Sequence, residues 1–332
     1  MNGKIFPARY TQLDPKALKE ELIQRYDLQE PLSCRAFDNG INDIYIVKTE
    51  SNVYYLRISM TGRHDLIDYE EEVTIINSLG GNGIRVAAPV CCKDGNFVWD
   101  ILAPEGVRYA VLFQEAKRSP SEDKIKSSYL LGQMAAQIHK IADNNDYKVS
   151  RAPIDLSQLA YEPLKVIQPY LEHRAADYEY LKNAAEKLCR YVEVKLSYDK
   201  PYYGYCHGDI HSGNVFFEGV KPRIFDFDCM GYGWRAYDVC VYAWNETGGN
   251  EKYIESDEWK SFLEGYNDVR RMSEAELDAI NVFAALRELW LMGLHADVIE
   301  RNAGCCWYND DYFNHRIGVF KKWFERAEAK LI

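Results

Sequence analysis

Residues 205–214 read Tyr205-Cys206-His207-Gly208-Asp209-Ile210-His211-Ser212-Gly213-Asn214, and a short interval separates them from Asp226-Phe227-Asp228. The Asp209 carboxylate is followed five positions later by the Asn214 carboxamide, and a second carboxylate, Asp226, stands beyond a β-like stretch. The residue types have a chemical logic. One carboxylate can take or orient the proton of an attacking hydroxyl, while an amide oxygen and another carboxylate hold Mg²⁺ against nucleotide phosphates. Taken alone, His-Gly-Asp is more often a surface turn than a catalytic group. The joint spacing of Asp209, Asn214 and Asp226 sets that reading aside and points to phosphoryl transfer.

Next to this block, strand-like Asn214–Phe217 and Arg223–Phe227 flank a Glu218–Pro222 turn. His207 reads as a packed or hydrogen-bonded member of the loop. His211 reads equally as a neighbour of substrate or as structure. Asp238, opening an apolar helical run, reads as structural support, a helix-terminal acid or a buried brace for the loop's backbone N–H groups. Upstream, Leu131, Met134, Ala135, Ile138 and Ala142 fall at helical spacing, and another helix is expected near 176–197. Residues 255–332 read as helical, with a capping box at Ser273-Glu274-Ala275-Glu276.

The first third is different. Asp14-Pro15 opens a short helix over about 15–26, and strands are expected at 44–48, 53–58, 97–102 and 107–113, with a helix at 66–79. The expected fold is α+β and two-lobed, protein-kinase-like. A small antiparallel-β N-terminal lobe with one helix (1–113, nucleotide-binding) joins, through a hinge at 114–117, a large mainly α-helical C-terminal lobe (118–332, catalytic and substrate-binding).

The whole chain has 332 residues, 47% apolar and 27% charged, and a net charge of −11. Such a balance supplies no basic surface for phosphate backbones, so no nucleic-acid partner is expected. Nine cysteines without zinc spacing, among them the neighbours Cys91-Cys92 and Cys305-Cys306, are expected to be reduced thiols. Met1 to Pro7 contain no apolar leader core, and no run approaches a membrane span, so a cytoplasmic location without membrane contact is expected. The oligomeric state leaves no mark in the sequence.

The loop and triplet have the spacing H-x-D-x-x-x-x-N, then D-F-x, of protein kinases. Gly208 stands where those enzymes carry arginine. With Gly231 to Asp238 added, the block resembles the aminoglycoside phosphotransferase and choline kinase superfamily, closest to the branch of type II homoserine kinases and RdoA-type stress-response kinases. Phe37 to Tyr45 is similar to that family's first hairpin, and Leu130 to His139 to its large-lobe helix. The resemblance implies ATP and Mg²⁺ as cofactors, Asp209 as the catalytic carboxylate, and Asn214 and Asp226 as the metal pair. It further implies a phosphate-covering turn at Asp38 to Asn42, with Asn39 and Gly40 at its centre. Arg57 falls at the usual phosphate-binding lysine, with Glu72 as its first-choice partner and Glu71 as the second. Backbone groups of Gln114, Glu115 and Ala116 would meet adenine.

The acceptor is expected to be a small, amine-bearing molecule with a hydroxyl group: an aminoglycoside, an amino alcohol, or a hydroxy-amino acid such as homoserine. Candidate substrate residues are His211, Asp228, Trp234, Trp307 and Asp310, whereas Trp290, on a stripe with Phe283, Leu286 and Leu294, reads as core. Asp228 either adds a carboxylate or replaces the usual triplet's glycine. Two other readings compete. One is a Ser/Thr protein kinase of the stress-response type, disfavoured by the short interval between Asp228 and Asp238. The other is a nucleotide-binding pseudokinase, supported only by arginine at position 57.

Overall fold

The computed structural model describes residues 6–30, 32–117, 123–247, 254–301 and 306–331; Met1 to Ile5 and Cys305 lie outside them. The chain divides into two units, one ending at Ala116 and the next beginning at Lys117. Together they make an α+β, two-lobed, protein-kinase-like fold.

The first unit holds a five-stranded sheet of β1 (Ser33–Asn39), β2 (Asp43–Lys48), β3 (Val53–Ile58), β4 (Val98–Ala103) and β5 (Gly106–Gln114), ordered β1-β2-β3-β5-β4. All neighbours are antiparallel. Period-2 alternation divides its side chains between two faces. Tyr45, Val47, Leu56, Ile58, Ala110 and Leu112 form a core with Leu18 and Leu22 of helix α1 (Pro15–Arg25). Val98 and Val111 point the other way, against Tyr69 and Val73 of helix α2 (Leu66–Gly81). Each fully buried aliphatic side chain contributes about 1.5–3 kcal/mol. Arg57 lies between Leu56 and Ile58, so alternation turns it toward α2. Asp14 caps α1, its side chain accepting from the Lys16 N–H at 2.9 Å.

The second unit contains helices α3 (Lys124–Asp143), α4 (Glu162–Ile167), α5 (Ala175–Lys195), α6 (Arg235–Thr247), α7 (Asp257–Val269), α8 (Glu274–Arg301) and α9 (Asp310–Glu328). Two short antiparallel pairs lie among them: β6 (Tyr203–Cys206) with β9 (Gly231–Trp234), and β7 (Val215–Glu218) with β8 (Lys221–Ile224). Helices α3 and α7 meet backbone to backbone. A Cβ at Gly132 would stand 2.0 Å from the Phe262 carbonyl oxygen, and one at Gly265 would stand 2.0 Å from that of Tyr129. The capping box forms as read, Glu276 Oε2 accepting from the Ser273 N–H at 2.9 Å.

Two departures from the sequence reading matter for the site. Strands β6 and β9 were not anticipated, because they are mostly buried and lack a polar alternation to signal a strand. Strand β8 stops at Ile224 instead of reaching Phe227, because the backbone enters the left-handed region at Asp226, where φ is 64°. The described cysteines are all free thiols.

Candidate active site

The site of the second unit begins with a hairpin. Strands β7 and β8 pair Val215 with Ile224, and the Phe225 N–H extends the ladder by donating to the Asn214 carbonyl at 3.0 Å. Asn214 and Asp226 therefore come to the same end of the hairpin. The left-handed backbone at Asp226 costs an L-residue about 1–2 kcal/mol and re-aims the carboxylate away from the strand direction. Gly208 is equally constrained: its φ is +82°, and a Cβ there would stand 2.0 Å from the Cys229 carbonyl oxygen. No arginine fits that position.

Asp209 is held from both sides. Its Oδ1 accepts from Arg287 Nη2 at 2.5 Å, and its Oδ2 accepts from Asn214 Nδ2 at 2.9 Å. The same Asn214 amide group donates to the Asp209 carbonyl at 3.0 Å. With both amide hydrogens engaged, Asn214 Oδ1 is the atom left to face a cation. His211 adds a longer bond, Nε2 to Asp209 Oδ2 at 3.3 Å, while its Nδ1 accepts from the Gly213 N–H at 3.0 Å. That second bond places the imidazole proton on Nε2. Burial alone would raise the Asp209 pKa, but the Arg287 charge and the His211 hydrogen bond outweigh it and hold the carboxyl well below the usual carboxylate range. The side chain remains 19% exposed, so a reactant can reach it.

The loop hangs from Asp238, at the start of α6 and fully buried. Its oxygens accept from the His207 and Gly208 N–H groups, both at 2.7 Å, and from His139 Nε2 at 2.9 Å. His139 Nδ1 in turn meets the Tyr266 hydroxyl at 2.7 Å, and Arg270 Nη1 donates to that hydroxyl at 3.2 Å. Desolvation drives the His139 pKa down to about 4, so the imidazole is neutral at pH 7. Burial opposes ionisation of Asp238, but the His139 hydrogen bond and the loop's backbone donors outweigh it and keep the carboxyl ionised. The bracing role read for Asp238 is what the geometry contains. His207 packs 4.3 Å from the Phe227 ring, its Nδ1 accepting from the Asp209 N–H at 3.2 Å. It belongs to the loop's structure.

In the first unit, Arg57 and Glu72 form a two-point pair, Nη1–Oε1 at 2.8 Å and Nη2–Oε2 at 2.9 Å. Both are buried, and the guanidinium also lies 5.1 Å from the Phe113 ring centre. Glu72, the first-choice partner, is the one that pairs. In the β1–β2 turn, the Gly40 N–H donates to the Asn42 carbonyl at 3.2 Å, and Asp38 Oδ1 accepts from the Asn39 N–H at 2.9 Å. Nothing lies within 4 Å of where a Gly40 Cβ would stand, which leaves room for a phosphate. Two of the expected adenine donors are already engaged: the Gln114 N–H bonds the Ala88 carbonyl at 2.8 Å and the Glu115 N–H that of Val53 at 3.2 Å. Ala116 ends the unit.

The substrate candidates separate. His211 lies against Asp209. Asp228, the last residue of the triplet, is buried, and Arg151 Nη1 donates to its carbonyl at 3.0 Å. Trp234 is core, 1% exposed, with its indole N–H given to the Ser197 carbonyl at 3.2 Å and its ring packed on Tyr198 and Tyr203. A sealed ring has no face for a ligand, so its assignment to substrate is corrected. Asp310 opens α9, where His173 Nε2 at 2.8 Å and Arg174 Nη1 at 3.4 Å answer its exposed carboxylate. Trp307, 43% exposed, meets His295 edge-on at 5.2 Å and Tyr312 at 5.5 Å.

Trp290 is only partly buried, and the Arg287 guanidinium sits 4.2 Å from its ring centre, so it is not the simple core residue its stripe suggested. Arg287, Glu288, Trp244 and Glu246 escaped the sequence reading. Trp244 Nε1 donates to buried Glu288 Oε1 at 2.7 Å, and Glu246 Oε1 accepts from the Ser212 N–H at 3.1 Å and from its hydroxyl. The available signal was Arg287-Glu288 interrupting the apolar run from Val282 to Leu291.

The model of the phosphotransferase enzyme family matches residues 33–289, and the chain belongs to that family. It is a phosphotransferase of the superfamily of aminoglycoside phosphotransferases and choline kinases, of which ATP-dependent phosphoryl transfer is typical. It is 31% identical over 330 residues to an uncharacterized protein of Synechocystis sp., covering 98% of this chain and 88% of the relative. The fold is similar to that of a microcompartment-associated aminopropanol kinase, with a TM-score of 0.76, 19% identity and coverage of 96% of this chain and 98% of that one. It is also similar to amicoumacin kinase hAmiN, solved with AMP-PNP, Ca²⁺ and Ami, with a TM-score of 0.74, 21% identity and coverage of 96% and 94%. Among the described residues, no helix is long and apolar enough to cross a membrane.

Proposed function

We propose that this phosphotransferase moves the γ-phosphoryl group of ATP to the hydroxyl of a small, amine-bearing acceptor, with Mg²⁺ as its metal. The observation that carries the reading is the clamp of Asn214 on Asp209, which presents an amide oxygen at the hairpin end where Asp226 turns out of its strand. An amide oxygen and a carboxylate are hard donors, and Mg²⁺ is satisfied by two such ligands with phosphates and water. Asn214 and Asp226 would hold the ion, and bound there it would neutralise the charge of the nucleotide phosphates. Asp209 accepts the hydrogen bond of the acceptor hydroxyl and takes its proton late, as the new P–O bond forms and the bond to ADP breaks. Held below the usual carboxylate range, Asp209 acts by orientation more than by basicity.

Arg57, fixed by Glu72, would hold nucleotide phosphates by its charge, and the turn of Asn39 and Gly40 would offer backbone N–H groups. The connection from Asp228 to β9 is only Cys229 and Met230, which gives no segment on which a protein substrate could dock. The amine-bearing class rests on the names of the aminopropanol and amicoumacin kinases and on Glu288, a buried carboxylate beside Trp244. A homoserine-type acceptor fits the same description.

The test is ADP formation from ATP and Mg²⁺ across aminoglycosides, amino alcohols, hydroxy-amino acids, nucleosides and a protein substrate. Acceptor-dependent turnover with an amine-bearing alcohol is expected. Turnover confined to nucleosides or to the protein would refute the acceptor class, and silence across the panel would refute the catalytic reading.

A further inference from the structure

Arg287 is nearly fully buried on α8, and its donors do not go to one partner. Nη2 meets Asp209 Oδ1 at 2.5 Å, while Nη1 meets the Gly208 carbonyl at 2.9 Å and the Tyr237 hydroxyl at 2.6 Å. The guanidinium plane is packed between rings, its central carbon 4.2 Å from the Trp290 centre and 5.1 Å from that of Trp244. One rigid fork thus grips both the backbone of residue 208 and the side chain of residue 209. Its own position is fixed by Tyr237 on α6 and by two indoles. Lysine has no such planar fork.

The distribution of donors over the Asp209 carboxylate is uneven. Oδ2 receives Asn214 Nδ2 and His211 Nε2, whereas Oδ1 receives Arg287 alone. A carboxylate oxygen has two lone-pair directions, so Oδ1 keeps one for a further donor. We infer that Arg287 is a positioning residue for phosphoryl transfer: it locks the Asp209 carboxylate so that Oδ1 is the oxygen that receives the acceptor hydroxyl. The inference rests on the assignment of Asp209 as the carboxylate that orients the acceptor. All three of its hydrogen bonds go to the loop and to Tyr237, so Arg287 acts through Asp209. Misplacing a reacting group by about 1 Å can cost about 10²-fold in rate.

The experiment is a double-mutant cycle read as ADP formation from MgATP with water as the acceptor, so no organic acceptor need be known. Arg287→Met is expected to lower kcat about 10²-fold while the KM for ATP stays within about twofold. Arg287→Lys, which keeps the charge and some donors, is expected to fall between Met and the wild type. In the Asp209→Asn background, adding Arg287→Met is expected to change the residual rate by less than about twofold, because the group it positions is already disabled.

An equal further loss in that background would overturn the inference and leave Asp209's role standing. An undiminished rate for Asp209→Asn alone would overturn both. Should Arg287→Met fail to fold by circular dichroism, Tyr237→Phe keeps the guanidinium and removes one of its anchors. A several-fold drop in kcat at constant KM supports the inference in that variant, and no drop refutes it.

Discussion

Each unit contains buried arginine–carboxylate pairs, and two of them, Arg57–Glu72 in the first and Arg287–Asp209 in the second, are built for different ends. Arg57 and Glu72 meet fork to fork, at 2.8 and 2.9 Å, so one guanidinium engages both carboxylate oxygens. Arg287 gives Asp209 a single bond of 2.5 Å and turns its other terminal nitrogen to a carbonyl and a hydroxyl. The first arrangement fixes α2 against β3 through both oxygens of the carboxylate at once. The second orients a carboxylate and leaves it able to accept from a reactant. The same two residue types make a lock when the geometry is bidentate and a tool when it is end-on.

The largest effect expected follows from that difference. Asp209→Asn should reduce kcat by about 10³-fold with ATP affinity retained, measured by turnover and by calorimetry. Retained turnover would leave the second pair without a part in the chemical step. Next comes Arg57→Met, which strands the Glu72 carboxylate in a dry site. Loss of about 3–5 kcal/mol in urea denaturation is expected, since breaking a buried pair leaves an uncompensated charge. Arg57→Lys should also be more damaging than Arg287→Lys relative to the respective Met variants, because an ammonium cannot reproduce a fork.

A third buried carboxylate, Asp238, sharpens the contrast because its side-chain partner is a neutral imidazole. The His139 pKa falls from the ordinary 6.5 to about 4 on folding, so between these values the unfolded chain binds the proton that the folded chain refuses. Stability should be full above pH 6.5 and fall as the pH drops toward 4, by up to about 3 kcal/mol. Chemical denaturation across that window checks it, and His139→Gln should flatten the slope. The smallest effect concerns Asp310, whose partners are exposed. Asp310→Asn should change stability by less than about 1 kcal/mol and leave the acceptor KM unchanged.

The parts of the site legible in the sequence were those carried by spacing. Asp209, Asn214 and Asp226 are close in the chain and joined by one hairpin, so counting residues sufficed. Arg57 and Glu72 were paired through the family resemblance, with Glu72 chosen by its distance from Leu79, and the two side chains meet. What escaped comes from distance along the chain. Arg287 reaches Asp209 across 78 positions, a separation that no local pattern encodes. Trp234 was misread because a tryptophan inside a functional block looks functional; only packing against Tyr198, Tyr203 and Phe283 settles it as core.

The chain of bonds from Arg270 through Tyr266 and His139 to Asp238 has a polarity that sequence cannot express. An ionised carboxylate only accepts, so the neutral His139 must send its Nε2 hydrogen to Asp238, and its Nδ1 must then accept the hydrogen of the Tyr266 hydroxyl, which in turn accepts from Arg270. From the far end, the N–H groups of His207 and Gly208 also only donate. Two one-way streams therefore converge on a single ionised carboxylate. A row of hydroxyls or waters can reverse direction and exist in two proton orders; this one has a single order. The loop that carries Asp209 is thus suspended from a support with no residual orientational disorder, and an arriving acceptor meets it in one hydrogen-bonded state.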